Sequence, residues 1–149
     1  MIIKNAKIYT PRHTFEEGDL FIRDGRIVPF AQPEEGEEVV DAAGAYALPG
    51  LVDIHFHGAM GKDFCDGSEE AIQTLADFEA SKGVLAICPA TMTFSEEILN
   101  NVMDAAAAHK NGKGADLVGI NMEGPFISPK KVGAQLSLIH ISEPTRRRG

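Results

Sequence analysis

His55 and His57 stand two residues apart in the apolar run LVDIHFHG, Leu51 to Gly58. An imidazole is costly to bury without a partner, so a pair inside a strand-like run asks for a ligand. Side chains alternate along a strand, which puts Asp53, His55 and His57 on one face and Val52, Ile54 and Phe56 on the other. Two imidazoles at i, i+2 can converge on one cation, and histidine is a common metal ligand. A lone histidine would more often be a core residue bonded to backbone or water. The pair, at the end of a strand, favours ligation.

Glu123 offers a third donor. In VGINMEGP the strand pattern places Gly119, Asn121 and Glu123 on one face, with Glu123 at the strand end before Gly124 and Pro125. Parallel α/β folds carry their chemistry at the C-terminal ends of strands. A carboxylate at the mouth of a third strand can reach the ion that His55 and His57 face. Alone it would read as a helix cap or a loop ion pair. Beside two histidines it reads as a ligand.

The elements that must position these residues follow from periodicity. LVDIHFHG, VLAICPATM and ADLVGINMEGP are three near-continuous apolar runs that read as strands buried on both faces. Between them lie two helix patterns. Ser68 caps the first, with Glu69 and Glu70 in its opening turn, a face of Ala71, Ile72, Leu75 and Phe78, and a stop at Gly83. Ser95 opens the second, with a stripe of Ile98, Leu99, Val102, Met103 and Ala106, and NGKG after it. The β-α-β-α-β order predicts a parallel sheet with covering helices.

Residues 1 to 49 differ. MIIKNAKIY alternates like a half-buried strand. Asp24-Gly25 between two β-prone runs is a strong hairpin signal. EVVDAAGAYALPG suggests a further strand pair about Ala43-Gly44, and AQPEEGEE an acidic loop. The expectation is a small β-meander that needs more strands to close a sandwich.

The chain has 149 residues, 44% hydrophobic and 24% charged, with a formal net charge of −8. This is a globular composition. The acidic balance argues against nucleic acid as a partner, because phosphate backbones demand clustered Lys and Arg. No run reaches the roughly 18 to 20 apolar residues of a membrane span. Two cysteines, Cys65 and Cys88, and no signal-like start predict a reducing, cytoplasmic setting.

PGLVDIHFHG resembles the first-strand motif of the amidohydrolase superfamily. HFHGAMGKDFCDG, CPATMTFSEE and GINMEGPFISPKKVGAQ together are more specific, and resemble the N-acetylglucosamine-6-phosphate deacetylase family almost continuously over residues 1 to 135. The resemblance implies an α/β fold: the N-terminal part of a metal-dependent (β/α)8 (TIM) barrel, preceded by part of a small β-sandwich subdomain, both incomplete here. The divisions are then 1–49 for the sandwich part and 50–135 for the first three barrel strands and two helices. It implies a divalent metal, one or two ions of Zn or Fe, held by His55, His57 and Glu123. It implies that Ala134 and Gln135 contact a sugar phosphate substrate, that neither nucleic acid nor membrane is a partner, and that the full-length enzyme is a homo-oligomer. The reaction would be hydrolysis of an acetamide to acetate and glucosamine 6-phosphate. In the family the proton-handling Asp and two further histidine ligands lie on later strands. None can be placed here, since His140 stands in an unmatched context, so the chain alone is expected to lack turnover. Lys130 and Lys131 read as solvated loop charges.

The family pattern stops at Gln135. LSLIHISEPTRRRG, residues 136–149, fits no strand-helix unit, resembles translated adapter or vector sequence, and is read as a foreign tail. Two other readings bear on function. A dihydroorotase-like or aminoacylase-like amidohydrolase shares the first motif, and a non-catalytic half-barrel domain is the reading from a different class.

Overall fold

The structure is a computed structural model, and it describes residues 1–125, 127, 129–131, 133 and 135. Residues 136–149, and with them the expected foreign tail, lie outside the described residues, as does Ala134. The chain divides into two compact units, Met1–Pro49 and Gly50–Gly149.

In the first unit β1 (Ile2–Tyr9) is central. It pairs antiparallel with β2 (Phe15–Arg23), which pairs antiparallel with β3 (Arg26–Val28). The Asp24-Gly25 hairpin forms as the sequence predicts, with Arg23 opposite Arg26. Both turn residues have positive φ, 49° and 70°, which the tight two-residue hairpin requires and Asp and Gly tolerate. On its other edge β1 pairs in parallel with β4 (Val39–Asp41) and then with β5 (Tyr46–Ala47). The expected strand pair about Ala43-Gly44 is therefore not a hairpin, and the sheet is mixed, not a meander.

The cause lies in β1. Its register with β2 shifts between Ile3 and Ala6, where Asn5 takes φ 57°. The Asn5 N–H donates to Asp19 Oδ1 and its side-chain amide to Asp41 Oδ1, both at 3.0 Å. A strand that bulges interrupts the partner lying along it. The chain loops out from Ala42 to Ala45, closed by the Ala45 N–H to Ala42 carbonyl bond of 2.8 Å, and rejoins the same edge. Among the described residues this unit has one sheet, with Ile2 and Ala6 buried.

The second unit begins with β6 (Leu51–Asp53) and a short hairpin of β7 (Gly58–Ala59) and β8 (Lys62–Asp63), followed by a 3-10 turn, Phe64–Asp66. Then come α1 (Glu69–Ser81), β9 (Val84–Ile87), α2 (Glu96–Ala108) and β10 (Asp116–Leu117). The sheet order is β10-β9-β6 and both pairings are parallel, as the alternating pattern predicts. Both caps form: Ser68 accepts the Ala71 N–H and Ser95 accepts the Ile98 N–H. Phe64, Ile72, Leu75 and Val102 form one buried cluster, and Ala76, Val84, Ile87 and Ala115 another. Ile98, expected in the α2 stripe, is exposed, whereas Leu99 and Val102 are buried.

The strands are shorter than their apolar runs. Asp53 Oδ1 takes the His55 N–H at 2.9 Å, bending the chain two residues on, and Pro89 has no N–H to give to a ladder. Pairing continues only through isolated bonds, Cys88 N–H to the Asp53 carbonyl at 2.8 Å and Ala90 N–H to the Phe56 carbonyl at 2.7 Å, and through a parallel bridge between Ala90 and Asn121. Nor are the runs buried on both faces. Leu51, Val52, Ile54, Leu85, Val118 and Met122 are exposed, and Leu51 and Val52, adjacent in β6, show that neither face of that strand is fully covered. Among the described residues no helix is long and apolar enough to cross a membrane.

Candidate metal centre

His55 and His57 follow β6, and Glu123 follows β10, on opposite sides of the central strand β9. The three are brought together: one ligand atom from each lies within 4.8 Å of the others. His55 Nε2 and His57 Nε2 are each 3.3 Å from the same atom, Glu123 Oε2. The two rings meet edge to face, with centroids 5.3 Å apart at 89°. His55 is half exposed, and His57 and Glu123 are about one-third exposed, so the group opens to solvent on the His55 side. Asp53, expected on the same face, does not join them. Its carboxylate accepts the His55 backbone N–H and acts on the fold.

Two of the three donors, His55 and Glu123, are held from behind. The Asn121 amide donates to the Ile54 carbonyl at 2.9 Å and touches His55 Nδ1 at 3.1 Å. The Glu123 backbone N–H donates to Thr91 Oγ1 at 3.2 Å, and Thr93 Oγ1 donates to the Glu123 carbonyl at 3.4 Å. The Gln135 amide donates to Glu123 Oε1 at 2.7 Å, while its own oxygen accepts the Thr93 N–H at 2.9 Å. Gly124, at φ 90°, passes so close that a Cβ there would lie 2.2 Å from Thr93 Oγ1. Thr91 and Thr93 are fully buried, and sequence reasoning missed both. Their signal was an i, i+2 spacing in PATMT that repeats the spacing of the histidines.

The group fits a divalent cation. Two imidazole nitrogens aim at one carboxylate oxygen, and His57 Nδ1 is buried with no hydrogen-bond partner. Two nitrogens and an oxygen suit a transition metal better than Ca²⁺ or Mg²⁺, which take all-oxygen shells. No sulfur enters the group. Cys65 accepts the Met92 N–H at 3.3 Å, and burial pushes its thiol pKa up, away from the thiolate that metals need. Lys130 and Lys131 are exposed.

Comparison with known proteins gives one consistent answer. No protein-family model matches the chain. An N-acetylglucosamine-6-phosphate deacetylase of Bacillus subtilis is 33% identical over 144 residues, which is 91% of this chain and 36% of that protein. The deacetylase of the same name from Homo sapiens is 32% identical over 125 residues, 78% of this chain and 31% of that protein. The crystal structure of a deacetylase of this name from Thermotoga maritima superposes with a TM-score of 0.77 at 29% identity, covering 99% of this chain and 38% of that one. The chain spans about a third of the length of the curated relatives it matches.

Proposed function

We propose, on the premise that this chain is a homologue of N-acetylglucosamine-6-phosphate deacetylases and matches about a third of their length, that it carries the first metal-holding strands of a (β/α)8 amidohydrolase. Its reaction would be hydrolysis of the acetamide of N-acetylglucosamine 6-phosphate to acetate and glucosamine 6-phosphate. The observation that carries the proposal is the convergence of His55 Nε2 and His57 Nε2 on Glu123 Oε2, each at 3.3 Å. The parallel order β10-β9-β6 is the start of the barrel, and residues 1–49 belong to the accompanying β-sandwich.

His55, His57 and Glu123 would hold the ion, Zn²⁺ or Fe²⁺, in a site of one or two ions. When bound, it lowers the pKa of water towards about 7 and polarises the amide carbonyl. The chain's own residues supply orientation. Asn121 keeps the His55 ring in place. Thr91 and Thr93 hold the Glu123 backbone at the strand end. By the resemblance of the sequence, Ala134 and Gln135 are the positions that would contact the sugar. The half-exposed His55 side leaves a path for a small polar substrate. The proposal extends to a cytoplasmic homo-oligomer at full length.

The test is a chimera in which residues 1–135 replace the matching segment of the Bacillus subtilis deacetylase. Acetate release from N-acetylglucosamine 6-phosphate, in preference to other N-acyl substrates, is the expected result. A folded, metal-loaded chimera that hydrolyses dihydroorotate or N-acyl amino acids but not the sugar phosphate would overturn it.

A further inference from the structure

Gln135 was expected to contact the sugar, yet in the structure both ends of its amide are already engaged. The oxygen accepts the Thr93 backbone N–H at 2.9 Å, and the nitrogen donates to Glu123 Oε1 at 2.7 Å. The first bond settles the second. A backbone N–H can only donate, so the amide oxygen must face Thr93 and the NH₂ must face Glu123. Thr93 is itself fixed: it is buried, and its hydroxyl donates to the Glu123 carbonyl.

We infer that Gln135 is a positioning residue for the metal-holding carboxylate, selecting which oxygen of Glu123 faces the histidines. Oε1 is taken by the Gln135 amide, and Oε2 is the atom to which both Nε2 atoms point. A free carboxylate rotates about its terminal bond with two equivalent oxygens. One held through Oε1 presents Oε2 in a single direction. The tether reaches across twelve residues from the loop after Glu123 and closes on the segment after β9. The inference rests on reading His55, His57 and Glu123 as metal ligands, and goes beyond it by giving Gln135 a role that needs no substrate.

Zinc affinity of the 149-residue chain tests it, by competition against a chromophoric chelator, together with the visible spectrum of the Co²⁺ form. The variants are Gln135→Met, which keeps the volume and loses the amide, and Gln135→Ala, with His57→Ala as the control for the site. Loss of a group that orients a ligand typically weakens metal binding about 10–100-fold. Both Gln135 variants should fall in that range, with a changed Co²⁺ spectrum, while His57→Ala falls further. If His57→Ala loses zinc and both Gln135 variants keep wild-type affinity and spectrum, the positioning role is overturned and the metal site stands. If wild type and His57→Ala bind zinc alike, the metal reading itself fails and takes the inference with it. A change confined to melting temperature, with affinity and spectrum intact, shows a merely structural role and counts against the inference.

Discussion

The His109 imidazole, 1% exposed, sets its Nδ1 3.0 Å from Glu69 Oε1. His109 caps the C-terminus of α2 and Glu69 opens α1, so the end of one helix lies beside the beginning of the other. Glu69 also presents its second oxygen at 3.2 Å. Removing it strands a buried ring nitrogen. Glu69→Ala should therefore lower the unfolding free energy by about 1–3 kcal/mol, the cost of a buried group left without its partner. Glu70→Ala breaks only an exposed pair with Lys62, worth about 0–1 kcal/mol. Urea denaturation of the two variants side by side checks this, and equal losses would refute it.

The group of His55, His57 and Glu123 makes a sharper distinction. His55→Ala, His57→Ala and Glu123→Gln should each weaken zinc binding by more than about 100-fold, beyond the loss typical of supporting residues. Asp53→Asn should leave affinity within a few-fold, because that carboxylate accepts a backbone N–H and does not belong to the group. Calorimetric titration with Zn²⁺ reads all four. Strong loss in Asp53→Asn would put it back among the ligands.

The first unit should show a pH signature. The N-terminal ammonium, then the Glu34 N–H and the Arg23 guanidinium, hold the Glu37 carboxyl at about 2 against an ordinary 4.5. A folded-state pKa below the unfolded one stabilises above the unfolded value, and the contribution is lost as pH falls towards the folded one. Wild type should exceed Glu37→Gln in stability from about pH 5 upward, with the gap closing as pH approaches about 2. Parallel stability-against-pH curves for the two would refute this.

Glu79 should behave in the opposite sense. Burial, and then the charge of Asp53, push its carboxyl pKa up. The folded state therefore holds that proton more tightly than the unfolded one. Its contribution is fully present below the unfolded pKa and is lost as pH rises through the folded one. Glu79→Gln, which keeps the shape and removes the charge, should melt higher than wild type at neutral pH and no higher in acid. Thermal melts at both ends of the range decide it.

How much of this was legible in the sequence depends on the range of the interaction. The i, i+2 histidines, the Ser68 and Ser95 caps and the Asp24-Gly25 hairpin are local patterns, and each lies where the pattern puts it. The parallel order followed from alternating elements. Strand lengths were not legible, because apolar runs do not show that the Asp53 side chain would take a backbone N–H or that Pro89 would leave a gap. The pairing of β4 and β5 with β1 turns on the bulge at Asn5, some 35 residues away in the chain. The support of Glu123 by Thr91, Thr93 and Gln135 joins two loops across the sheet. No periodicity encodes such a contact.

Gly124 sets a limit on how the site can be varied. Any side chain there meets Thr93 Oγ1 at 2.2 Å and must also hold φ 90°, a region that L-residues other than glycine rarely occupy. Random mutagenesis around the centre should return this codon unchanged, whereas solvent-facing Met122, one residue before Glu123, has room to drift. Variation in the shape of the centre would then have to come from its rims, because the turn that carries the carboxylate admits almost no alternatives.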